Sequence, residues 1–110
     1  MIKLVYCITK RPDLTDAQFF HYWKHIHGPI GMRTPGLRRL VQSHTLTDLP
    51  GLRPPDFHGM AELWFDDLTA LLAARQTPEF RASGADEANF IDPTRVALFV
   101  TEEHEIVESR

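Results

Sequence analysis

The chain has 110 residues, 43% of them hydrophobic and 25% charged, with 12 Lys and Arg against 15 Asp and Glu for a formal charge of -3. That length leaves room for one core rather than two, so residues 1–110 are expected to form a single domain of ordinary globular composition. The basic residues are scattered apart from the pairs Lys10-Arg11 and Arg38-Arg39, which excludes nucleic acid from the expected partners, because phosphate binding needs several cations together. The acidic end, with Glu102, Glu103, Glu105 and Glu108, reads as a solvated terminus. Cys7 is the single cysteine, so no internal disulfide is expected, and the apolar stretch at the start is too short for a signal core or a membrane span. A soluble, cytoplasmic protein without membrane association is the expectation.

In chain order, Ile2 to Thr9 alternates loosely as a first strand, with Ile2, Leu4, Tyr6 and Ile8 on one face and Val5 and Cys7 on the other. Lys10-Arg11-Pro12-Asp13 breaks it. Thr15 and Gln18 have capping-box spacing, with Asp16 well placed in the first turn, and open a helix over Asp16 to His27. Its apolar positions are Phe19, Tyr22, Trp23 and Ile26, and Gly28-Pro29 supplies the expected stop. A second strand runs from Leu37 to about Leu46. The loop 47–56 carries three prolines and a glycine and reads as a surface loop, a lid or a dimer arm. A third strand covers Phe57 to Phe65, Asp66 is placed as the cap of a short helix holding Leu68, Leu71 and Leu72, and Thr77-Pro78 opens one more helical turn. Residues Ser83 to Pro93 read as irregular, and Arg95 to Thr101 as a fourth strand.

The order β-α-β-β-α-β is the split βαβ arrangement, an α+β, ferredoxin-like fold with one four-stranded antiparallel sheet and its helices on one face. The uncovered face would then present more apolar side chains than a monomer normally exposes, and pairing two such faces through a twofold axis predicts a homodimer.

On a helical wheel referenced to Phe19, Tyr22, Trp23 and Ile26 fall within about 60°, and His27 lies at about 80°, facing the sheet or its edge. His21 and His25 point to solvent. His27 therefore reads either as a core-edge histidine tethered to a carbonyl or as a proton-transfer group lining a pocket. Gln42 and His44 share a face of the second strand, and His58, Met60, Glu62 and Trp64 share one of the third. If those faces coincide, polar groups gather in an apolar layer suited to ligand orientation; otherwise they are the wet side of edge strands. The i, i+4 pair His21/His25 lacks a third ligand at fixed spacing, and no HExxH, CxxC, phosphate loop, GxSxG elbow or nucleotide fingerprint occurs, so no metal or organic cofactor is expected.

The stretch KRPDLTDAQFFHYWKHIHGPI followed by PGLRRLVQSH resembles the EthD-like family, chiefly in Phe19, Tyr22-Trp23 and His27-Gly28-Pro29. Gly59-Met60-Ala61-Glu62-Leu63-Trp64-Phe65, Asp86-Glu87, Phe90-Ile91-Asp92 and Glu102-Glu103-His104 extend the likeness over nearly the whole chain. The resemblance implies a dimeric α+β barrel. It also implies roles in catabolic gene clusters, such as ether degradation beside a cytochrome P450 system, with loose reductase or oxidoreductase labels. Fungal relatives are similar to dehydratases and decarboxylases, and more distant barrels include muconolactone isomerases and quinone-forming monooxygenases. The expected function is a cofactor-independent enzyme working by general acid/base chemistry on a small apolar cyclic or aromatic compound. His27 is its acid or base, and Tyr22, Trp23, Gln42, His44, Glu62 and Phe90 are the candidate substrate-binding residues. The alternative is a non-catalytic accessory protein that binds such a ligand for a degradation cluster.

Overall fold

A computed structural model of the chain describes residues 1–108. Strand β1 (Ile2–Ile8) is followed by α1 (Asp16–Tyr22), a π turn (Trp23–His27) and α2 (Gly28–Gly31), which form one unbroken helical rod. Then come β2 (Arg39–His44), β3 (Gly59–Phe65), α3 (Leu68–Ala74), α4 (Pro78–Asp86), a 3₁₀ turn (Glu87–Asn89) and β4 (Ala97–Glu102). The strands form one antiparallel sheet in the order β2-β3-β1-β4, with the two most apolar strands at its centre. This is the ferredoxin-like α+β arrangement that the element order predicts. No helix among the described residues is long and apolar enough to cross a membrane.

The caps explain where the helices begin. Thr15 accepts from the Gln18 N–H while the Gln18 side chain accepts from the Thr15 N–H, the reciprocal pair of a capping box. Thr77 caps α4 with Pro78 in the first turn. Asp67, not Asp66, caps α3 by accepting from the Ala70 N–H at 2.8 Å. Asp66 instead pairs with Arg38 across the sheet edge.

Two expectations fail at one place. The helix does not stop at Gly28-Pro29 but continues to Gly31, because the chain takes a π turn immediately before, with the Gly28 N–H bonded to the Trp23 carbonyl. The wider turn admits a proline ring that a regular helix would reject. It also advances about 82° per residue instead of about 100°, which rotates Ile26 away from the core and brings His27 by roughly 70° toward the direction of Phe19. Ile26 is accordingly 44% exposed. A third difference is α4, which runs through Ser83 to Asp86 where irregular chain is predicted; Gly84, a poor helix former, hides its length from sequence.

One sheet face carries Ile2, Leu4, Tyr6 and Ile8 and packs against the helices. Ile8, Phe19, Trp23, Phe90 and Ile91 form one buried cluster there, and Leu4, Phe65, Leu71 and Ala74 a second. The other face carries Lys3, Val5, Cys7, Val41, Met60, Glu62, Trp64 and Phe99 and, among the described residues, has no helix over it.

Candidate functional site

Between the two core clusters lies a cavity of about 170 Å³, walled mainly by Leu4, Trp23, Leu40, Leu63, Phe80 and Leu98. Tyr6, His27, Gln42, Ser83 and Glu87 supply polar groups to the same walls, with Arg75 beside them. A mostly apolar hollow with a few convergent polar atoms is the usual form of a small-molecule site.

His27 reaches this cavity because of the π turn. Its Nδ1 lies 2.8 Å from Asp86 Oδ2, and its Nε2 lies 3.5 Å from the Ser83 hydroxyl. The Phe90 ring packs 4.7 Å from the imidazole, centroid to centroid. Asp86 is itself held by the Tyr22 hydroxyl and the Asn89 amide, both donating to Oδ1. Burial pushes the Asp86 carboxyl up, but hydrogen bonds from Tyr22, Asn89 and His27 together outweigh it and hold the group below the usual carboxylate range. An ionised Asp86 fixes the proton of a neutral His27 on Nδ1 and leaves the Nε2 lone pair free to accept one.

On the adjoining wall, Tyr6 from β1 donates to Glu87 Oε2 at 3.1 Å. Burial raises the Glu87 carboxyl, against the lowering effect of the Tyr6 hydrogen bond. Burial, with the neighbouring Glu87, pushes the Tyr6 phenol up to about 12.

The candidate residues divide accordingly. His27, Trp23 and Gln42 line the cavity. Tyr22 and Phe90 stand behind His27, the first holding Asp86 and the second packing on the imidazole. His44 lies outside the cavity, stacked on Phe20 and Trp23 at 4.9 and 4.6 Å. Its Nε2 is 2.9 Å from Gln42 Oε1, and Gln42 donates to the Trp23 carbonyl at 2.7 Å, so His44 reaches the site through Gln42 and the outer side of Trp23. Burial lowers the His44 pKa, with Lys24 adding to the effect.

Glu62 is a correction. In the strand register Glu62 stands opposite Val41, whereas Gln42 stands opposite Ala61. The period of two therefore puts Glu62 on the face away from His27, where it pairs with Lys3 at 2.8 Å. Four residues of the site are absent from the sequence-derived set: Tyr6, Ser83, Asp86 and Glu87. Tyr6 was legible as the one polar tip on the apolar face of the first strand, and Asp86-Glu87 as an acidic pair just before a buried Phe-Ile. Their convergence on His27 has no local signal. Among the described residues no group of three or more His, Cys, Asp or Glu is placed to hold a metal ion.

The EthD domain family model matches residues 11–94. The chain belongs to the EthD family. An EthD family protein from Bacillus halodurans is 29% identical, with a TM-score of 0.77 over 94% of this chain and 99% of that one. A dimeric protein with a ferredoxin-like fold from Bacteroides fragilis is 16% identical, with a TM-score of 0.66 over 93% and 95% of the two chains. SnoaB from Streptomyces nogalater, described as a cofactor-independent oxygenase, is 15% identical, with a TM-score of 0.65 over 98% and 97%. At those last two identities the likeness to the EthD chain is one of fold. No curated protein matches it.

Proposed function

We propose that this EthD protein is a cytoplasmic, homodimeric, cofactor-independent enzyme that moves protons on a small, largely apolar cyclic compound, with His27 as the base. The observation that carries the reading is the Asp86-anchored imidazole lining an apolar cavity. A carboxylate on one ring nitrogen orients the other and stabilises the imidazolium that forms when it takes a proton. Isomerisation, dehydration and enolisation all need such a group and no redox partner. The fold likeness to a cofactor-independent oxygenase supports the capacity of this scaffold for cofactor-free chemistry, not a particular reaction.

Exchange of the α-protons of cyclohexanone for deuterium in D₂O, followed by proton NMR, tests the base directly. Wild-type protein is expected to accelerate the exchange, and His27→Gln to return it to the buffer rate while keeping the melting temperature within a few degrees. A His27→Gln protein that unfolds, with wild-type exchange no faster than buffer, would make His27 a helix-end tether instead.

The dimer rests on exposed surface. The chain exposes 7463 Å², whereas a compact monomer of its mass exposes about 6,200 Å². Much of the excess is apolar: Phe99 on the open sheet face, Leu98 and Val100 on the edge strand, and Ile106 and Val107 in the tail.

A further inference from the structure

Glu87 has no role in anchoring His27, and its surroundings do not explain it as a structural charge. It lines the cavity, yet no Lys, Arg or His lies within ion-pairing distance of its carboxyl among the described residues. Glu87 is half-buried, and a carboxylate partly withdrawn from water is stabilised by a cation or by several hydrogen bonds. Among the described residues its carboxyl accepts one side-chain hydrogen bond, from Tyr6 to Oε2. The groups around it are Tyr6 from β1, His27 from the π turn, Asp86 beside it in sequence, and Arg75 at the end of α3 on the shared cavity wall. Tyr6 favours the ionised carboxyl through its hydrogen bond, whereas the neighbouring Asp86 charge disfavours it.

The cavity also limits what enters. At about 170 Å³ it is close to the roughly 150 Å³ of an apolar cavity that takes up benzene. A single six-membered ring is the ligand size it matches.

We propose that Glu87 is the second proton-transfer residue of this cavity, donating to the carbonyl oxygen of a single-ring, enolisable ketone while His27 removes the α-proton. The inference rests on His27 being the base. The α C–H bond breaks and its proton goes to His27 Nε2; the electron pair forms the C=C bond as the carbonyl π bond opens; and the oxygen takes the Glu87 proton. The product is the enol, with His27 cationic and Glu87 anionic, and return of a proton from solvent to Glu87 and loss of one from His27 restore the site. No oxidant or reductant enters. The upward displacement of the Glu87 carboxyl by burial keeps the acid form available at higher pH than an ordinary glutamate allows.

Cyclohexanone exchange separates this from the base reading. Glu87→Gln is expected to slow wild-type exchange by about 10²-fold and to remove the fall in rate on the alkaline side. Tyr6→Phe, which keeps the acid but removes the hydrogen bond that favours its ionised form, is expected to move that alkaline limb to higher pH. The two-ring trans-2-decalone should exchange at the buffer rate. If Glu87→Gln exchanges at the wild-type rate while His27→Gln does not, Glu87 is structural and the base reading stands. An alkaline limb unmoved in Tyr6→Phe, or rapid exchange of the decalone, overturns the acid role or the single-ring limit respectively. Wild-type exchange at the buffer rate overturns both readings together. Should Glu87→Gln fail to fold, the Tyr6→Phe profile decides alone.

Discussion

Asp86 and Glu87 are neighbours in sequence whose carboxyls are displaced in opposite directions: burial raises both, and only at Asp86 do hydrogen bonds outweigh it, while at Glu87 the Asp86 charge adds to it. Asp86 receives donors from Tyr22, Asn89 and His27, whereas Glu87 receives one from Tyr6. A carboxyl held low in the folded state contributes stability above its unfolded pKa and loses it as the pH falls through the folded value. Asp86 therefore contributes at neutral pH, and that contribution fades in acid. Glu87, held high, has the reverse sign: its favourable acid form is present at low pH and its ionisation costs stability as the pH rises through the folded value. Melting curves between pH 3 and pH 7 should show Asp86→Asn destabilised relative to wild type at pH 7, with the difference shrinking toward pH 3. Glu87→Gln should gain on wild type as the pH rises. Identical pH dependence in both variants would contradict these assignments.

At the scale of elements, the π turn and β3 are fitted to each other through Trp23. A Cβ on Gly59 would lie 2.3 Å from the Trp23 ring and 2.9 Å from the Ser43 carbonyl, so the indole sits where a side chain would otherwise stand. Neither obstacle yields easily, since one is a buried ring and the other is backbone. Gly59→Ala is expected to cost about 1–3 kcal/mol and to alter the near-ultraviolet circular dichroism of the tryptophans. An unchanged melting temperature would show that the indole is free to move. The same contact explains a glycine inside the strand: its value there is the space it leaves.

For the whole molecule, the proposed dimer is expected to form through the open sheet face. Val41, Val5, Met60 and Phe99 form an apolar band across all four strands, with Lys3 and Glu62 paired within it. A stable dimer through this face should bury on the order of 2,000 Å². Phe99, 48% exposed in the single chain, is the probe: Phe99→Asp places a charge at the band without disturbing the helix-side core. Sedimentation velocity is expected to give a dimer for the wild type and a monomer for Phe99→Asp at micromolar concentration. A wild-type monomer, or a dimeric variant, would move the interface elsewhere.

Local patterning alone determined the strands, the caps at Thr15 and Thr77, and the order that makes the sheet, because alternation and capping depend on residues within a few positions of one another. It also marked His27, since a histidine among Phe19, Tyr22 and Trp23 stands out on any helical period. Only the tertiary structure decided the rest. The π turn that carries His27 inward is accommodated by packing against β2 and β3, and the face assignment of Glu62 depends on a register between strands fourteen or more residues apart in the chain. Asp86 and Glu87 come from a helix end 59 residues beyond His27, and their opposite displacement follows from burial and from donors on β1, α1, the π turn and the 3₁₀ turn.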